Sequence, residues 1–370
     1  MDRLGQLATK FGQSPWLDNL KRGYITSGQL QALVDRGIRG LTSNPTIFQK
    51  AIQGSPDYDE QFAELAAAPA HAIIDDYWAM VLQDINGALK IFEPVHTATD
   101  GVDGYVSVEV DPALAHDGPG TTKAARDLHQ RVNRKNLLVK IPATAEGIES
   151  IEAMIAEGRS INITLIFSLD RYDKVMEAYI SGLETYAATV DADLSRVASV
   201  ASFFISRVDT EIDHRLDEIG TAEALALRGK GALAQGKLAY RAFQETFSGP
   251  RWEALAAKGA RVQRPLWAST STKNPAYPDT LYVDELIGPH TVNTLPDATI
   301  DAFADHGTLA RRVDVDVDAA VQVWHDLTAV GVDLDDVAAK LEREGVSSFQ
   351  KSFDELIDAL QQKSTELGAK

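Results

Sequence analysis

The chain has 370 residues, enough for two or three average domains or for one parallel β/α barrel. With 44% hydrophobic and 24% charged residues it has the composition of a globular protein with a sizeable core, which excludes disordered and fibrous architectures. Its 36 Lys+Arg against 54 Asp+Glu, a formal charge of −18, argue against nucleic acid or an anionic membrane as partner, but leave room for a local cationic pocket holding one phosphate.

In chain order, short apolar runs occur at Ser14–Leu17, Gly40–Thr42, Tyr105–Val110, Leu137–Ile141, Ile161–Phe167, Val197–Ile205, Pro265–Ser269 and Thr291–Leu295, and they predict eight strands. Between them the period changes to that of helices. Ser27 is placed to cap Gln29–Val34, with Gly37 after it; Ala145–Ala156 ends at Gly158; Ser168 caps a helix running to Tyr186, with Asp170 in its first turn. Runs such as Leu137-Leu138-Val139 are apolar on both faces, as parallel strands covered by helices should be. Eight strand–helix units predict an α/β fold, a (β/α)8 TIM-type barrel, with a doubly wound sheet as the competing arrangement. Residues 1–370 read as a single barrel domain, with a helical insertion at about 210–258, a helix break at Gly229-Lys230-Gly231 and a C-terminal helical extension at about 317–370.

Several patterns mislead. Gly231 to Lys237 has P-loop spacing, but Leu238 replaces the hydroxyl residue and no strand precedes it. No G-x-G-x-x-G follows the first strand. Asn162-Ile163-Thr164 is a glycosylation sequon inside a predicted buried strand. The eight histidines, among them His71, His96, His116, His129 and His290, show no metal-ligand spacing, and with no cysteine there is no disulfide, thiolate nucleophile or Cys-ligated metal. The first twenty residues lack an apolar signal core and no membrane-length apolar run follows, so the expected location is the cytoplasm.

In a barrel the loops at the carboxyl ends of the strands build the site, so ionisable residues there carry weight. Lys140 lies among apolar neighbours in Leu137–Pro142 and either snorkels to solvent or serves as a Schiff-base nucleophile. An ordinary lysine, with pKa ~10.4, is only ~0.04% free amine at pH 7, so imine chemistry requires its pKa to fall by about 2–3, roughly 3–4 kcal/mol. Glu109, in an otherwise apolar strand, is a structural partner or a proton shuttle. Asp18 closes the first strand and Asn44 precedes Pro45, where a cap or turn residue is the plain alternative. Asn162 and Thr164 stand two apart and share one face, which points to the lumen. After strands six and seven, Arg207, Ser269 and Lys273 supply two cations and a hydroxyl suited to phosphate, unless Arg207 pairs with Asp209 or Asp213.

Taken together the motifs Ser14–Asn19, Gly40–Thr46, Val108–Asp111, Leu138–Thr144, Ile161–Ser168, Ala201–Asp209 and Trp267–Asn274 resemble, in order, those of the transaldolases, in the long bacterial form. The resemblance implies a (β/α)8 barrel with a covalent lysine, no metal and no organic cofactor. It implies transfer of a dihydroxyacetone unit, in the pentose phosphate pathway, from fructose 6-phosphate or sedoheptulose 7-phosphate to erythrose 4-phosphate or glyceraldehyde 3-phosphate. Lys140 then resembles the Schiff-base lysine, Asp18 the base for carbon–carbon cleavage, Glu109 the shuttle acting through a water, and Thr164 a holder of that water. Asn44, Asn162 and Ser202 resemble contacts to the bound ketose, Arg207 and Ser269 the phosphate ligands, and Lys273 stands near the place of a further cation. Phe204 matches the aromatic wall of transaldolases, where related aldolases carry Tyr. The expected partners are sugar phosphates, not nucleic acid or membrane; monomer and homodimer both stay open.

Overall fold

The computed structural model describes residues 2–68 and 72–368. Eight strands, β1 (Gln13–Asp18), β2 (Gly40–Thr42), β3 (Val106–Glu109), β4 (Leu137–Pro142), β5 (Ile161–Ile166), β6 (Ser199–Phe204), β7 (Arg264–Ala268) and β8 (Thr291–Leu295), pair in parallel and in sequence order into a closed barrel. Each pairs with its chain neighbours and β1 pairs with β8, so the barrel has no edge. This is the predicted (β/α)8 architecture, and all eight apolar runs are strands.

Local chemistry explains how the strands hand over to helices. Thr144 accepts the Gly147 N–H at 3.1 Å and starts the helix Ala145–Ala156, and Ser168 accepts the Arg171 N–H at 3.1 Å to start Leu169–Ala187. At Gly147 a β-carbon would lie 2.1 Å from the Pro142 carbonyl oxygen, so only glycine lets that helix begin so close to the end of β4. One expected cap is corrected: Gly28, in the left-handed region with φ of 81°, is the N-cap of Gln29–Arg36, and Ser27 closes the short helix before it. The chain turns at Gly28 between the two helices, and a positive φ is cheap only for glycine. Ser27 still contributes, since its hydroxyl accepts the Gln29 N–H at 3.3 Å.

The strand–helix rhythm is uneven. Three helices, Pro45–Gln53, Asp59–Ala66 and Ile73–Ala98, separate β2 from β3, while a long loop with only the short helix Leu281–Asp284 follows β7. The region read as an insertion holds the barrel helix Ser206–Ile219 followed by Gly231–Thr246 and Gly249–Ala256, and the run with P-loop spacing lies inside the second of these. The lower end of the barrel is closed by a buried ion pair, Arg264 to Asp103 at 3.1 Å, with Ser14 bonded to both and the Trp16 ring beside the guanidinium.

The extension beyond β8 forms the helices Val317–Ala329 and Leu334–Gly368. The second, here the strap helix, crosses the upper mouth. It is fastened to the helix after β2 by Thr46–Ser352 at 2.8 Å, to the helix after β5 by Arg171–Glu342 at 3.2 Å, and to the helix after β6 by Lys340–Glu211 and Arg215–Asp336, both at 2.6 Å. Gly345 lets it lie close: a β-carbon there would come within 2.9 Å of the Leu165 side chain.

Candidate active site

The register places Glu109 on β3 directly beside Lys140 on β4, and Lys140 beside Asn162 on β5. Period-two alternation then turns all three side chains to the lumen. Lys140 is 4% exposed, so it does not snorkel; its Nζ lies 3.0 Å from Glu109 Oε2 and donates to the Ser43 carbonyl at 3.2 Å. Burial raises the Glu109 carboxyl above its ordinary range, with Lys140 and Arg207 opposing the rise. A carboxylate destabilised in this way is a stronger base toward the ammonium it touches.

Beside this pair a relay of hydrogen bonds crosses the lumen. Ser202 donates to Asn162 Oδ1 at 2.7 Å, and the Asn162 amide donates to Ser107 Oγ at 3.0 Å. Asn162 is fully buried in β5, and the relay uses its carbonyl oxygen and one of its two amide hydrogens. Thr164 is also fully buried, yet its hydroxyl finds no hydrogen-bond partner among the described residues. Just beyond it the β5–β6 register shifts, and Leu165 takes φ of 60°, a conformation that costs a non-glycine residue about 1–2 kcal/mol. Strain at a site rim is where function concentrates.

Asp18 ends β1 and caps no helix. It faces a cleft of about 590 Å³ shared with Lys21, Lys50 and Asp297. Burial raises its carboxyl, against the pull of Lys140, Arg207 and Lys273. Asn44 does cap: its Oδ1 accepts the Ile47 N–H at 2.9 Å, which leaves its amide hydrogens to point elsewhere, and it borders a small pocket beside Glu109.

Arg207 makes no ion pair among the described residues. The alternative partners are engaged elsewhere: Asp209 accepts from Tyr282 at 2.6 Å and from the Ala232 N–H at 3.1 Å, and Asp213 accepts from Tyr277 at 2.6 Å. The guanidinium instead lies 5.0 Å from the Phe204 ring centre and 5.8 Å from that of Phe349 on the strap helix. Phe204 in turn packs on Phe167, with ring centres 5.0 Å apart. Ser269, also at positive φ (57°), bonds Ser206 at 2.9 Å at the start of the Arg207 helix. Lys273 reaches solvent and donates to Ser271 at 2.7 Å; the surrounding protein, then Arg207, holds its ammonium below the usual lysine range, while Asp18 pulls the other way. Arg207, Lys273 and Asp18 therefore share one mouth.

Among the described histidines, His96 packs edge-on to Tyr105 and His116 sits 3.1 Å from Glu146; His71 lies outside the described residues. Three contributors to the site were not singled out from the sequence. Ser107 precedes Glu109 by two and shares its face, so alternation could have found it. Ser43 contributes a backbone carbonyl, for which no sequence signal exists. Phe349, 5.9 Å from Lys140 Nζ, sits in a helix whose apolar stripe reads simply as core.

Fold and site together define a class, the (β/α)8 barrel enzymes with polar side chains gathered at the carboxyl ends of the strands. The family described as Transaldolase/Fructose-6-phosphate aldolase matches residues 15–360, and the chain belongs to it. It is 52% identical over 355 residues to a transaldolase of Mycobacterium ulcerans, covering 95% of this chain and 94% of that one. A transaldolase of Thermobifida fusca is 52% identical over 353 residues, 95% of each chain, and one of Acidothermus cellulolyticus is 50% identical over 361 residues, 97% of this chain and 96% of that one. The activity that goes with this kinship is that of a transaldolase. Among the described residues no helix is long and apolar enough to cross a membrane.

Proposed function

We propose that Lys140 is the Schiff-base lysine and that the chain moves a dihydroxyacetone unit from fructose 6-phosphate or sedoheptulose 7-phosphate to erythrose 4-phosphate or glyceraldehyde 3-phosphate. The observation that carries this reading is the buried contact of 3.0 Å between Lys140 Nζ and Glu109 Oε2 inside the barrel mouth. Glu109 takes a proton from the ammonium, the free amine adds to the ketose carbonyl, and loss of water from the carbinolamine leaves a protonated imine. Glu109 returns and removes protons in those steps through a water held by Thr164, whose buried hydroxyl has no other partner among the described residues.

Asp18 takes the hydroxyl proton as the carbon–carbon bond breaks. The aldose leaves, and the electron pair it abandons is held as an enamine on the Lys140 nitrogen. The acceptor aldehyde then enters, the enamine carbon attacks it, and the steps reverse. Asn162 and Ser202, already bonded to each other, and the amide of Asn44 bind the hydroxyls of the ketose. Arg207, Ser269 and Lys273 take the phosphate, a local cationic patch on a chain of charge −18. Phe204 presents carbon rather than a hydroxyl to the enamine and offers no seat for a hydrolytic water.

The reading is tested by incubating the protein with fructose 6-phosphate and erythrose 4-phosphate and following both products. Glyceraldehyde 3-phosphate and sedoheptulose 7-phosphate should rise in equal amounts, with little free dihydroxyacetone. Free dihydroxyacetone formed without an acceptor would instead make the chain an aldolase.

A further inference from the structure

We infer that Phe349 of the strap helix is the roof that decides whether the enamine on Lys140 is passed to an aldehyde or lost to water; this rests on the Schiff-base reading above. Phe349 is 4% exposed although it belongs to a segment outside the eight strand–helix units. Its ring centre lies 5.9 Å from Lys140 Nζ and 5.8 Å from the Arg207 guanidinium carbon, so one side chain covers both the covalent centre and a phosphate cation. Phe204 approaches the same guanidinium at 5.0 Å. The two rings thus make an apolar wall and ceiling over groups that would otherwise be hydrated.

Two reactions compete at the enamine. In transfer, its nucleophilic carbon bonds to the aldehyde carbon and the aldehyde oxygen takes a proton. In loss, that carbon takes a proton instead, water adds to the resulting imine, the carbon–nitrogen bond breaks, and dihydroxyacetone leaves with Lys140 restored as an amine. The second route needs water over Lys140, which is the space the Phe349 ring covers. The helix is held there by ties to three separate barrel units, at Thr46, Arg171 and Glu211, so the ring's position is set by the whole mouth and not by one loop. The open side of the site, by Asp18, Lys21 and Lys50, remains for substrate entry.

Two replacements of nearly equal size separate water exclusion from bulk: Phe349→Leu keeps an apolar cover, and Phe349→Asn offers water a partner. With fructose 6-phosphate and erythrose 4-phosphate, the ratio of free dihydroxyacetone released to sedoheptulose 7-phosphate formed should rise about tenfold in Phe349→Asn and stay near the parent value in Phe349→Leu. Leu360→Ala, a buried position on the same helix about three turns further on, loosens the packing without touching the site and should leave the ratio unchanged. Thermal melts confirm folding, and borohydride trapping with fructose 6-phosphate reports the imine in each variant. Equal ratios in the Leu and Asn variants, or a rise in Leu360→Ala matching that in Phe349→Asn, would overturn the role of Phe349 while leaving the Schiff-base reading intact. Failure of the parent protein to trap would remove that reading itself.

Discussion

Two carboxyls in this mouth, Glu109 and Asp18, are raised by burial, and both are assigned work that needs the ionised form. A base loses its capacity as pH falls through its pKa, so kcat/KM should decline on the acid side at a pH above the ordinary carboxyl value of about 4.3. Glu109→Gln should lower kcat by about 10²–10⁴-fold and change the acid limb, since one of two titrating bases is removed. An acid limb identical in the variant would remove Glu109 from proton transfer. Lys140→Ala should abolish turnover while the far-ultraviolet circular dichroism stays that of the parent, because one lumen side chain is not the core; the loss of that spectrum would mean that the pair is structural.

At the scale of elements, the helix that opens with Ser206 does two tasks. Its start presents Arg207, and one and two turns on Asp209 and Asp213 clasp Tyr282 and Tyr277 from the segment after β7 that carries Lys273. Asp209 is raised to about 6, mostly by burial, against the bonds from Tyr282 and Ala232. A carboxyl raised in the fold stabilises it in the protonated state, fully below the unfolded value near 4, and this contribution is lost as pH rises through about 6. Ionisation at neutral pH then costs on the order of 2–3 kcal/mol, which Asp209→Asn avoids while keeping an acceptor for Ala232. The melting temperature of Asp209→Asn relative to the parent should therefore climb between pH 5 and pH 8; a constant difference would contradict the buried charge. These elements were partly legible beforehand. The strands declared themselves because a short run that is apolar on both faces suits a parallel strand covered by helices, and Lys140 and Glu109 stood out because a charge inside such a run is expensive. The clasp did not, since aspartates at helical spacing read as a solvated face, and Phe349 did not, since an aromatic on an amphipathic helix reads as packing. The Ser27 cap failed because a left-handed glycine between two helices outranks a nearby serine hydroxyl.

The whole molecule separates stability from chemistry along the barrel axis. The lower end is sealed by Arg264 and Asp103, and the upper end holds Lys140 and the other groups assigned to the reaction beneath the strap helix. Removing one member of a buried pair leaves the other uncompensated, so Asp103→Ala should cost about 3–5 kcal/mol in a denaturant titration while kcat of the folded fraction is unaltered. A loss of kcat with no loss of stability would reverse that division. Charge is divided in the same sense: a chain of −18 gathers Arg207, Lys273, Lys21 and Lys50 around one mouth, and on the proposed reading these cations draw a phosphorylated sugar toward Lys140. The proposed chemistry rests on a closed ring of strands that would bring one amine, that of Lys140, to a sugar carbonyl. Reduction with borohydride in the presence of fructose 6-phosphate, followed by peptide mass mapping, reads that amine out. One stable adduct, on Lys140, is expected; no adduct, or an adduct on another lysine, would contradict it.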